Sequence, residues 1–112
     1  AEDLELSREV AFKDVQPLFA DSETARTRLT FEAEVTGRLE HPGVVPVYGL
    51  GRDAAGRPFY AMRFVEGETL LDALRAFHAG GPTGADRALA LRRLLARFVS
   101  VCQTVAFAHS RG

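Results

Sequence analysis

Lys13 is the only lysine in the chain; every other basic side chain apart from histidine is an arginine. An ammonium on a flexible stem is a compact point charge, whereas a guanidinium is a broad rigid fork. The two substitute poorly for one another where space is tight. A second chemically marked position is Glu32. At about 100° per residue, Ala25, Leu29, Val35, Thr36 and Leu39 all fall within about 60° of it on a helix. That spacing puts a carboxylate in the middle of an apolar face, while Glu34 lands on the opposite side. A carboxylate turned inward needs a cation or strong donors to offset its lost hydration. Two cations qualify: Arg28, four residues earlier on the same face, and Lys13, from a separate element. The other reading is a partly exposed glutamate at the rim of that face.

These two residues need a strand and a helix to position them. Glu9 to Val15 alternates, with Ala11, Lys13 and Val15 on one side and Val10 and Phe12 on the other, and the period predicts a strand. Gln16-Pro17 ends it. Asp21 or Ser22 can cap a helix running to about Glu40, where His41-Pro42-Gly43 stops it. Val44 to Tyr48 reads as a second strand, Gly49 to Gly56 as loop, and Phe59 to Val65 as a third strand, the last two strands forming an antiparallel hairpin. Glu66-Gly67-Glu68 breaks the pattern before a short helix over Thr69 to Phe77. A flexible connector, Ala79 to Gly84, follows. From Asp86, Leu91, Leu94, Leu95, Phe98, Val101, Cys102, Val105 and His109 recur at three- and four-residue steps, the signature of a long amphipathic helix, with Arg92, Arg93 and Arg97 mostly on its other side.

The 112 residues suffice for one small domain with a modest core. Hydrophobic content of 46% and a net charge of −1 indicate a globular chain and give no nucleic-acid footprint. One cysteine, Cys102, excludes an internal disulfide and a cysteine-only metal cage, and His41, His78 and His109 have no zinc-ligand spacing, so no metal site is expected. No apolar run approaches the roughly 20 residues that span a bilayer. The acidic start, Ala1 to Glu5, lacks an initiator methionine and the form of a signal peptide. The expectation is a cytoplasmic location, with no membrane partner in this segment, and a chain that begins partway into something longer.

Four segments, in order, resemble a protein kinase, in particular the eukaryotic-like (Hanks-type) serine/threonine kinases of bacteria. Val10-Ala11-Phe12-Lys13 is similar to the lysine-bearing strand. Phe31 to Val45, with Glu32 and His41-Pro42-Gly43-Val44-Val45, resembles the C-helix and the loop after it. Arg57 to Gly67 resembles the fifth strand and hinge, and Ala106 to Gly112 the end of the E-helix, just before the catalytic loop. The implied fold is α+β, a partial protein-kinase fold. It keeps three strands of the antiparallel small-lobe sheet, the C-helix and hinge, then the first helices of the large lobe. Residues 1–65 would be a partial small lobe, 66–85 the hinge, short helix and connector, and 86–112 a truncated long helix of the large lobe.

The resemblance implies that Lys13 contacts the α- and β-phosphates of ATP and pairs with Glu32. It further implies that Ala11 roofs the adenine ring, that Met62 is the gatekeeper, and that Arg63 and Val65 bind adenine through main-chain atoms. Thr69 or Asp72 would approach the ribose. ATP is the implied cofactor, with Mg2+ and a protein substrate in a longer parent. The departures are equally specific. No G-x-G-x-x-G precedes Val10, no H-R-D or D-F-G appears, and the chain contains no asparagine, so the proton-accepting aspartate and the magnesium ligands fall outside these residues. The polypeptide as written is therefore expected not to transfer phosphate.

Two other readings are a pseudokinase that binds nucleotide without catalysis, and a stand-alone docking module. Against the module, Leu91, Leu94, Leu95, Phe98 and Val105 would each forfeit about 1.5–3 kcal/mol if left exposed. The lysine strand would also be an open sheet edge, prone to pairing with other chains.

Overall fold

A computed structural model describes residues 1–112. The chain divides into two compact units, Ala1–Val65 and Glu66–Gly112.

The first unit is a four-stranded antiparallel sheet with one helix against it. Its strands are β1 (Glu2–Asp3), β2 (Arg8–Asp14), β3 (Val47–Arg52) and β4 (Pro58–Arg63), in the order β1-β2-β4-β3, and α1 spans Glu23–Gly37. The sheet therefore carries a short fourth strand beyond the three expected. The turn between β1 and β2 is built by Asp3, whose carboxylate accepts from the Glu5 and Leu6 N–H groups and pairs with Arg8. Short acidic side chains favour turns for this reason. Because Ala1 and Val10 also exchange main-chain hydrogen bonds, the first half of β2 is covered. The open edge expected along the whole lysine strand is confined to its second half.

β3 departs most from the sequence reading. It begins at Val47 and runs through Gly49 and Gly51 to Arg52, where periodicity and glycine content had indicated a strand over 44–48 and then loop. Pro46 has no N–H to contribute, although its carbonyl accepts from Arg63. A bulge between Val47 and Gly49 takes up the irregularity. Gly51 is needed in the strand because a Cβ there would meet the Phe59 ring at 2.9 Å. Phe59 in turn meets Phe12 edge-to-face, with centroids 5.4 Å apart. Only residues 53–57 form the hairpin loop. Asp53 accepts from the Ala55 and Arg57 N–H groups, and Gly56 takes a positive φ.

Ser22 caps α1, its hydroxyl accepting from the Ala25 N–H at 3.2 Å. The helix stops at Gly37, three residues before Glu40. Arg38 and Leu39 bond to carbonyls three residues back and lead the chain into the His41–Val44 turn. Leu29 and Ala33 of α1 pack on Tyr60 of β4, with Val15, Val47 and Met62 around them.

The second unit holds α2 (Leu70–His78) and α3 (Gly84–Ser110). Thr69 caps α2, and buried Phe77 lies under the Arg87 guanidinium of α3, which also donates to the Phe77 carbonyl at 3.2 Å. α3 starts two residues ahead of Asp86 and buries none of its residues; Phe98 is 61% exposed. No helix is long and apolar enough to cross a membrane.

Candidate functional site

Strand alternation and register assemble the site. Lys13 lies opposite Tyr60 in the β2–β4 ladder, and Ala11 lies opposite Met62. Since side chains two apart on a strand share a face, these four stand on the side of the sheet that α1 covers. The buried stripe of α1 is centred between Leu29 and Ala33, at about 60° and 100° from Glu32 on a regular helix. Glu32 thus sits at the border of the buried face, not in its middle, and Val35, expected inside, is exposed. The shift follows from which side of the helix the sheet offers: Tyr60 fills the space between Leu29 and Ala33.

At that border Glu32 meets two donors. Lys13 Nζ and the Tyr60 hydroxyl both donate to Glu32 Oε1, the second at 2.7 Å. The ion pair chosen is therefore with Lys13, nineteen residues away. Arg28 makes no ion pair with the carboxylate and acts on it only through its more distant charge. The hydrogen bond from Lys13, then that from Tyr60, holds the Glu32 carboxyl below the ordinary value of 4.5. The same bond to Glu32 raises the Lys13 ammonium above 10.5. Burial, reinforced by donation to Glu32, pushes the Tyr60 hydroxyl above 10.0. All three groups are therefore in their neutral-pH forms: ammonium, carboxylate and phenol. The Lys13 side chain remains 46% exposed.

No family model matches the chain. It is 33% identical over 111 residues to the serine/threonine-protein kinase PknD of Protochlamydia amoebophila, an alignment covering 94% of this chain and 11% of that protein. Against PknD of Chlamydia caviae the identity is 34% over 108 residues, covering 95% of this chain and 12% of the relative. Against PknD of Mycobacterium tuberculosis it is 35% over 96 residues, covering 86% and 14%. Over nearly its whole length the chain is thus similar to serine/threonine-protein kinases of bacteria. It spans 11–14% of the length of these curated relatives.

The remaining residues singled out by kinase resemblance are distributed as follows. Met62 packs against the Leu29–Ala33–Tyr60 cluster beside Ala11. Arg63 ends β4, and its N–H donates to the Pro46 carbonyl at 3.0 Å. Val65, two residues past the strand, is 62% exposed. Thr69 and Asp72 belong to the second unit and satisfy one another there. The Asp72 N–H donates to Thr69 Oγ1 at 3.1 Å, and the Thr69 hydroxyl donates to Asp72 Oδ2 at 2.8 Å. Together they form the α2 cap.

Tyr60, which shares Glu32 Oε1 with Lys13, is the residue of this cluster that sequence reasoning passed over. Its signal was present: it precedes Met62 by two residues, so the strand period puts both on one face.

Proposed function

We propose that Lys13, kept charged and in place by Glu32, binds the phosphates of ATP, and that the encoded protein transfers the γ-phosphate to serine or threonine hydroxyls of protein substrates in the cytoplasm. The observation that carries this reading is the ion pair between β2 and α1. A phosphoanhydride needs a fixed positive charge. Lys13 supplies one whose proton is held more tightly than usual and whose side chain stays accessible to a ligand.

The neighbouring residues suit a purine nucleotide. Ala11 is small enough to let a flat ring approach the strand, and Met62 closes the space behind it. The Arg63 carbonyl can accept from an exocyclic amino group, and the Val65 N–H can donate to a ring nitrogen. ATP supplies the transferable phosphoryl group. Magnesium would be held by motifs that these 112 residues do not contain. The proton acceptor for the substrate hydroxyl also lies in such a motif, so the 112 residues alone do not complete transfer.

The deciding experiment incubates the full-length encoded protein with γ-labelled ATP, magnesium and a generic protein substrate, then identifies the labelled amino acid. Labelled serine or threonine, lost in Lys13→Met, supports the proposal. ATP binding without transfer indicates a pseudokinase. Neither binding nor transfer in a folded protein leaves a docking module.

A further inference from the structure

The Lys13–Glu32 pair joins two long side chains, each about half exposed. Such a pair is weak alone, because holding both chains in one geometry costs rotamer freedom and water screens the charges. Tyr60 is different in kind. It is 3% exposed, its ring is packed against Leu29 and Ala33, and it has two side-chain torsions to fix rather than four. Its hydroxyl is therefore held at one point in space, and a buried phenol requires a partner. That partner is Glu32 Oε1, the oxygen that also receives Lys13.

We infer that Tyr60 is a positioning residue: its hydroxyl ties the Glu32 carboxylate to β4, and so holds the Lys13 ammonium in its phosphate-binding position before nucleotide arrives. The inference rests on the phosphate-binding reading of Lys13 for its consequence on turnover, but not for its effect on Lys13 itself. Without the hydroxyl, Glu32 is anchored only by the mobile lysine, and the two swing together into solvent. The other charged group acting on the carboxylate, Arg28, makes no contact that would replace the anchor.

Because Lys13 is the only lysine, uniform labelling of lysine with carbon-13 and nitrogen-15 gives one side-chain amine to follow in the 112-residue chain. Tyr60→Phe is expected to lower its titration midpoint from the raised value toward the ordinary 10.5, and to have no such effect in a Glu32→Gln background. Tyr60→Leu, which removes the ring as well, should shift Lys13 as Tyr60→Phe does. A shift seen only with leucine assigns the effect to packing and overturns the inference, as does an unmoved midpoint in a folded Tyr60→Phe chain. In the full-length encoded protein, Tyr60→Phe should lower kcat about threefold to tenfold, the range of one net hydrogen bond. KM for ATP should move less than about twofold. The Tyr60→Phe/Glu32→Gln double variant should be no slower than Glu32→Gln alone. Equal losses in both backgrounds would mean that Tyr60 does not act through Glu32. If Glu32→Gln itself leaves kcat unchanged, the phosphate-binding reading fails, and the Lys13 titration still decides the role of Tyr60.

Discussion

Replacing Lys13 by methionine separates the two roles an ion pair can play. Methionine keeps most of the apolar stem and removes the ammonium. Lys13 and Glu32 have side chains 46% and 41% exposed, which places the pair among surface salt bridges worth about 0.2–1 kcal/mol. Nor does the change strand a buried charge, since Glu32 keeps the Tyr60 hydroxyl and its contact with water. The expected loss of folding stability is therefore no more than about 1 kcal/mol, read as a shift of the urea midpoint at unchanged slope. The effect on chemistry is larger. Removing a preorganised donor from the charge that develops in a transition state costs about a hundredfold to a thousandfold in rate, or about 2.7–4 kcal/mol. Phosphoryl transfer by full-length Lys13→Met should fall by at least that factor while the midpoint hardly moves. A rate within tenfold of wild type would show that Lys13 does not grip the phosphates. A stability loss above about 2 kcal/mol, with the rate falling only in proportion to unfolded protein, would make the pair structural.

Three further outcomes follow from the same geometry. Glu32 is held below 4.5 and Lys13 above 10.5, so the pair contributes fully between those values, and is lost as pH falls through the lowered Glu32 value or rises through the raised Lys13 value. The stability difference between wild type and Glu32→Gln should therefore be flat from about pH 5 to pH 10 and narrow on both sides; a difference that grows in acid contradicts the assignment. Gly51→Ala should destabilise the first unit by about 1 kcal/mol, because a Cβ at 2.9 Å from Phe59 forces the ring away from Phe12; an unchanged denaturant midpoint would show that the ring yields freely. The isolated 112-residue chain should give no saturable heat with micromolar ATP, since the glycine-rich loop and magnesium ligands are absent from it; micromolar affinity by calorimetric titration would disprove this.

The sequence by itself determined the elements whose signal lies within one stretch of chain. The alternation around Lys13 specified β2, Ser22 and the apolar spacing specified α1, and the residues around Arg57-Pro58 specified β4 as half of a hairpin. Motif order was enough to indicate the kinase family. Periodicity describes one element at a time, however, and whatever depends on two elements meeting was decided by the tertiary structure. Local spacing put Arg28 within reach of Glu32, yet the carboxylate faces Lys13, because α1 lies on β3 and β4 with Leu29 and Ala33 seated against Tyr60, the residue opposite Lys13 in the ladder. The same seating moved Glu32 to the border of the buried face and left Val35 in water. Gly49 and Gly51 read as loop residues in isolation. They are strand residues because β4 offers a ladder to pair with, and because the Phe59 ring occupies the space a side chain would need. Tyr60 entered the site for a reason no single stretch contains: strand register set its hydroxyl opposite Lys13, and helix packing brought to both of them the one carboxylate they share.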